Sequence, residues 1–121
     1  MTTQADRENL LSKLKQASEV RITVRGRKSK RKVSAPVWFI LEGRKITLVP
    51  TKGSDSEWSK NLVKDPQIEL GVGETTVSSE ATLVRDSKQV ENVLDKFRAK
   101  YRSMWSESYY TKRDVCMEVP V

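Results

Sequence analysis

Between Glu19 and Arg25 the chain alternates strictly, with Val20, Ile22 and Val24 set against Arg21, Thr23 and Arg25, the period of a strand with one buried face. Upstream, Leu10, Leu11 and Leu14 share a helical face between polar residues, so the spacing predicts a short amphipathic helix over Gln4 to Ala17. Downstream, Val33 to Leu41 is a nearly continuous apolar run that reads as a second strand. Glu42-Gly43-Arg44 then turns it into an alternating third strand, Lys45 to Pro50, completing a predicted three-stranded meander. Pro36 removes a ladder donor from the second strand, which implies a bulge, a sheet edge or a stretch of backbone that faces a ligand.

Ser54-Asp55-Ser56-Glu57 has capping-box spacing and predicts a helix of about ten residues that stops before Pro66, with Trp58 and Leu62 on one side. Two strands follow, Gln67 to Val72 and Thr75 to Val84, joined at Gly71 to Gly73. Asp86 with Gln89 caps a last helix in which Val90, Val93, Leu94, Phe97 and Tyr101 keep the spacing of one stripe. Ser103 to Arg113 is aromatic and polar without a period, and Val115 to Val119 reads as a closing strand. About six short strands with three helices among them predict an α+β fold, a small antiparallel barrel carrying inserted helices.

Composition narrows the chemistry. The 121 residues, 36% of them hydrophobic, suit one domain over residues 1–121 with a single core. There is no histidine, which excludes a Ser-His-Asp triad, a histidine base and the usual histidine-liganded metal site. Cys116 is the only cysteine, so no internal disulfide forms; it reads as a buried strand residue. Chemistry would therefore come from carboxylates, lysine, tyrosine, backbone amides or a borrowed cofactor, and no residue is assigned as a catalyst. Met1 to Asn9 is polar, neither a signal peptide nor a membrane span, and the expectation is a cytoplasmic protein.

Lys and Arg outnumber Asp and Glu by 23 to 16, a net charge of +7, and the excess is concentrated between Gly26 and Pro36. There Arg27, Lys28, Lys30, Arg31 and Lys32 crowd a predicted hairpin tip. Arginine offers a planar donor fork, lysine a point charge, and the turn amides of Gly26 and Ser29 add oriented dipoles, so the tip suits phosphate. Lys52-Gly53-Ser54 precedes a predicted helix start, a second place where anions are favoured. Trp38 and Phe39 are adjacent in a strand and face opposite sides, so one lines a pocket while the other enters a core or an interface. Trp58 is a packing anchor or a ring contact, and Trp105, Tyr109 and Tyr110 cap a substrate pocket or meet a partner subunit. On composition alone the tip also suits a bare sheet edge protected by cations, or a nucleic acid, although no helix-turn-helix, zinc or RNA-binding signature accompanies it.

Gly26-Arg27-Lys28-Ser29, Pro36, Trp38-Phe39, Lys52-Gly53-Ser54, Trp58, Asn61-Leu62 and Asp65-Pro66 keep an order and spacing that resembles the deazaflavin-dependent nitroreductase family. That family lies within the split β-barrel flavin-binding superfamily, with the pyridoxamine 5'-phosphate oxidase-like proteins. The resemblance spans roughly Thr23 to Val84. It implies a six-stranded antiparallel split β-barrel with three inserted helices, usually a homodimer, that binds coenzyme F-420 or FMN. Such a protein passes a hydride between that cofactor and an acceptor such as a quinone or nitroaromatic. The resemblance places Gly26, Arg27, Lys28 and Ser29 at the phosphate and acidic tail. It places Ala35, Pro36, Val37 and Trp38 near the ring, and Lys52, Gly53 and Ser54 on the cofactor, with Trp58 a further candidate contact. Lys30 stands where members typically have glycine, and Val33 where they have a cation. The alternatives are FMN or another flavin merely bound, and an interaction domain that kept the fold without the cofactor.

Overall fold

A computed structural model describes Thr2 to Val121; Met1, which opens the polar stretch at the start, lies outside the described residues. The strict alternation from Val20 gives β1 (Val20–Arg25), which buries Val20, Ile22 and Val24 and leaves Arg21 and Arg25 exposed. It pairs on one side with β2 (Lys32–Val37) and on the other with β5 (Gln67–Val72), which pairs with β6 (Thr75–Glu80). A second sheet runs β3 (Ile40–Glu42), β4 (Lys45–Leu48), β8 (Cys116–Pro120), β7 (Thr82–Val84). All ladders are antiparallel, and with three α-helices the fold is α+β: eight strands in two four-stranded sheets.

Two expected strands are each divided. The run from Val33 to Leu41 leaves the first sheet after Val37 and joins the second at Ile40, so β2 and β4 do not share a meander. The break falls at Trp38 and Phe39 because a distant side chain satisfies the backbone there. The amide of Phe39 donates to the Tyr101 hydroxyl at 3.0 Å, and its carbonyl accepts from Lys100 Nζ at 2.8 Å. The run from Thr75 to Val84 divides in the same way at Ala81, whose amide donates to the Pro66 carbonyl at 2.9 Å. Pro36 lies on β2, the outer strand of its sheet, so its missing donor interrupts no ladder on the free side.

The helices follow their apolar stripes with shifted ends. α1 (Gln4–Leu14) starts on a capping box between Thr3 and Asp6 and buries Leu10 and Leu14. It stops short of Ala17 because Gln16 and Ala17 donate three residues back, to Lys13 and Leu14, which tightens the last turn out of α geometry. α2 (Glu57–Lys64) stops before Asp65-Pro66 as the proline dictates. Its cap is Ser56 instead of Ser54, and no Ser54-Glu57 box forms: Ser54 lies in a 3-10 turn, Gly53–Asp55, and Glu57 bonds Arg27. α3 (Ser87–Lys100) is capped by Asp86, which accepts from the Lys88 amide at 2.9 Å, and buries Val90, Leu94 and Phe97.

The core has two parts. One fills the space beneath the first sheet and α1, from Leu10 and Ile22 to Leu70 and Val119; the other packs α3 on the second sheet around Phe97, Tyr101 and Tyr110. Cys116 is buried in β8, and burial pushes its thiol up to about 11, so it stays protonated and unreactive at neutral pH. No described helix is long and apolar enough to cross a membrane.

Tyr101 is 2% exposed, and its hydroxyl also lies 2.8 Å from the Ser18 carbonyl and 3.1 Å from that of Phe39. Tyr101→Phe leaves the buried Phe39 amide and the Ser18 carbonyl without that partner, and should destabilise the fold by about 1–3 kcal/mol in urea denaturation. A variant as stable as the parent would mean that the corner is held by packing alone.

Candidate active site

The edge strand β2 and the helix α2 bracket two depressions. The first is a cleft of about 350 Å³ that gathers Ala35, Pro36, Val37, Trp38 and Trp58. The first four are those the resemblance places near the ring, and Trp58 is its further candidate contact. Tyr109 and Tyr110 close over it from the segment after α3, Val49 and Thr51 form its floor after β4, and Glu19 stands on its wall just before β1.

The corner between β2 and β3 fixes what the cleft sees. Phe39 is fully buried in the main core, so its neighbour Trp38 turns outward into the cleft. Trp38 lies flat on Tyr101, ring centroids 4.1 Å apart and planes 6° apart, while Tyr109 meets it edge-on at 5.7 Å. Tyr110 stacks on Trp105 at 5.2 Å and meets Phe97 edge-on at 6.1 Å. Burial pushes the Tyr110 hydroxyl up to about 12, so it stays a neutral phenol across the physiological range.

The second depression is a groove of about 310 Å³ lined by Gly26, Arg27, Lys28 and Ser29, with Val33 of β2 and Glu57 and Asn61 of α2. The tip is closed by its own bonds: the Gly26 amide donates to Arg31 O at 2.8 Å, and Lys30 donates back to Gly26 O at 3.0 Å. The Gly26 amide is therefore not available to a ligand, contrary to expectation. A Cβ on Gly26 would meet Ser29 Oγ at 2.7 Å and would push that side chain off the Arg31 amide, from which it accepts at 3.2 Å.

Arg27 is held from α2. Its Nη1 donates to Glu57 Oε2 and to Asn61 Oδ1, each at 2.8 Å, and its amide donates to the same Asn61 oxygen at 3.1 Å. Arg27 in turn keeps the Glu57 carboxyl below the usual carboxylate range. Lys32 pairs with Glu69 at 2.8 Å. Among the described residues no carboxylate pairs with Lys28, Lys30 or Arg31, which leaves the groove cationic on balance.

Lys52, Gly53 and Ser54 line neither depression. The anion-binding groups expected of that turn are taken by the chain itself: Asp114 accepts from the Ser54 amide at 2.9 Å and from its hydroxyl at 2.5 Å. Gly53 is buried with φ +55°, and a Cβ there would collide with Asp114 and with the Lys112 carbonyl. Thr111 donates from its amide to Thr51 O at 2.9 Å, and Lys112 Nζ reaches Asp55 at 3.3 Å. The turn is thus a clasp for the segment that carries Tyr109 and Tyr110.

The sequence model of the family described as F-420H(2)-dependent quinone reductase matches residues 2–121. The chain belongs to this family. Family membership makes it a coenzyme F-420-dependent oxidoreductase acting on quinones, in keeping with the deazaflavin resemblance of its motifs. No curated protein sequence matches the chain. Similar solved structures include an F-420-H2 dependent reductase, with TM-score 0.61 and 20% identity over 84% of this chain and 93% of that one. A putative pyridoxamine 5'-phosphate oxidase from Listeria innocua superposes with TM-score 0.67 at 12% identity, over 93% and 90% of the two chains. A protein described as a domain-swapped dimer gives 0.64 at 19% identity, over 93% and 95%.

Sequence reasoning left Asn61 and Glu57 without a role in the basic groove, although Asn61 stands inside the family pattern. It gave no sign of Glu19 or of Asp114, whose importance comes from contacts across the fold. Asp114 predicts a pH dependence. Burial raises its carboxyl, but the Ser54 hydroxyl and amide outweigh this and hold it below the ordinary carboxylate value. Its contribution is therefore present above the unfolded value near pH 4 and fades as pH falls through the lower folded value. Asp114→Asn should be less stable than the parent near neutrality, with the gap closing as the pH of urea denaturation is lowered below about 4. A gap independent of pH would show that the clasp does not rest on the carboxylate's charge.

Proposed function

We propose that the aromatic cleft holds the deazaflavin ring and the quinone, and that the groove beside it holds the phosphate and acidic tail of coenzyme F-420. The observation that carries this reading is the sorting of the residues. Those assigned to the ring gather at one station along β2 and α2, and those assigned to the anionic tail at the next. A planar aromatic wall next to a cationic groove has the chemistry of a flat ring with an anionic tail.

When bound, the reduced deazaflavin supplies a hydride to the quinone, and a proton from water completes the hydroquinone. The chain's part is binding, orientation and exclusion of water. Trp38, immobilised on Tyr101, gives the ring a fixed wall. Arg27, oriented by Asn61, and Lys28 at the rim neutralise the tail. Tyr109 and Tyr110, clasped through Asp114 and Thr111, cover the reacting face. The Lys52-Gly53-Ser54 turn acts on the cofactor only indirectly, by holding that cover.

We also take the fold to be a six-stranded split barrel. β2 with β3, and β6 with β7, are continuous stretches that cross from one sheet to the other, so the eight ladder strands reduce to six chain segments. Residues 1–121 form one domain in this reading, a cytoplasmic protein that works as a homodimer. Support for the dimer comes from the free edge of β2, the half-exposed Val33 and Val63, and the similar structure described as a domain-swapped dimer.

Titration of coenzyme F-420 into the protein, followed by cofactor fluorescence, tests the assignment. Arg27→Ala combined with Lys28→Ala should weaken binding by about 10–100-fold, the loss of charge-assisted bonds to phosphate and carboxylate. Lys28→Ala alone, which breaks no side-chain bond among the described residues, should lose part of that affinity while folding normally. Unchanged affinity in both would remove the groove from the cofactor site.

A further inference from the structure

We infer that Glu19 sets the charge preference of the acceptor, so that the site takes neutral or cationic quinones and turns away those bearing a sulfonate, carboxylate or phosphate. This rests on the reading that the cleft receives the quinone. Among the described residues Glu19 is the one charged residue on the cleft's lining; the rest of that wall is aliphatic, aromatic, or the hydroxyls of Thr51, Tyr109 and Tyr110. Among the described residues it has no ion pair, and the cations Arg27 and Lys28 face the neighbouring groove. An anionic acceptor would bring like charge to this carboxylate with no countercharge on the same wall.

Glu19 is solvent-exposed, and the backbone that carries it is held on both sides. Ser18, before it, has its carbonyl bonded to the Tyr101 hydroxyl at 2.8 Å, and Val20, after it, pairs with Val37 in the β1–β2 ladder. Val37 and Trp38 form the wall beside it. Its charge reaches the interior, where it adds to the effect of burial in raising the Tyr101 phenol. Negative charge at the cleft and positive charge at the groove also separate the two ligands. The anionic tail is drawn to the groove, and the ring end is left for an uncharged partner.

The test compares unsubstituted naphthoquinone with naphthoquinone sulfonate, using reduced coenzyme F-420 as donor. The parent should prefer the neutral quinone. Glu19→Gln should raise the ratio of kcat/KM for the sulfonate over the neutral quinone by about tenfold, chiefly through KM, and Glu19→Lys by more; the shift should shrink at about 0.5 M salt. A second readout needs no turnover: quenching of tryptophan fluorescence by each quinone gives its Kd, and only that of the sulfonate should tighten in the variants. If both quinones are reduced but neither the ratio nor the Kd responds to either substitution, the role of Glu19 is overturned and the proposed function stands. If the parent reduces neither quinone, the proposed function falls, and equal sulfonate Kd values in all three proteins would overturn the Glu19 inference as well.

Discussion

The Tyr101 hydroxyl is the point on which the rest of this molecule turns. A chain that passes from one sheet to another must leave its ladder, and each residue in transit carries an amide and a carbonyl that cannot be buried unpaired. At Phe39 both groups are met from α3, by Tyr101 and Lys100, and the same hydroxyl takes the carbonyl of Ser18. The corner then rotates Phe39 into the core and Trp38 out over the Tyr101 ring. One phenol thereby sets the crossing between sheets, the wall of the cleft and the position of the residue before β1. Its burial, which pushes the hydroxyl up to about 12, keeps it a proton donor at any physiological pH.

A second constraint is the use of internal anions to organise a basic chain. Asp114 fills the turn at Ser54, and Glu57 sits against Arg27. Each carboxylate occupies donors that an anionic ligand could use, yet the consequences differ. Both donors of Ser54 are taken by Asp114, and Gly53 is packed beneath the same carboxylate. Arg27 is only steered: Glu57 is largely in solvent, and an exposed ion pair of this kind contributes little. The arginine is pre-oriented at small cost, and an anion entering the groove can replace the carboxylate.

What could be read from the chain depended on the distance over which each residue acts. Alternation at Val20 to Arg25 and the stripe from Val90 to Tyr101 are local, and both gave the right element and the right buried face. The residues that gather in the cleft could be named together because their spacing along β2 and α2 carries the family resemblance. The division of the Val33 to Leu41 run was not, because nothing within it marks a break. The cause lies at Tyr101, 62 residues from Phe39. The false capping box failed for the same reason: Ser54 has the right neighbour three residues on, but Asp114, 60 residues away, offers its hydroxyl and amide a charged acceptor. Glu19 was legible only as the start of the alternating strand; its place on the cleft wall with Trp38 comes from the fold.

The tip shows how the departures from the family pattern fit together. Lys30 has φ 63°, the left-handed region, which explains why glycine is typical there. A side-chain-bearing residue in that region costs roughly 1–2 kcal/mol, and the turn's own bonds, Gly26 N to Arg31 O and Lys30 N to Gly26 O, help to hold it. What the strain leaves in place is a cation at the end of the turn. Val33, half exposed where a cation is typical, removes one from the strand below. The two changes together shift positive charge outward along the tip. With Arg27 turned inward to α2, Lys28 lines the groove from the turn, and Lys30 and Arg31 follow on its returning arm, Arg31 opposite Gly26. A long, flexible anionic tail can follow charge spread in this way, whereas a compact phosphate alone could engage only part of it.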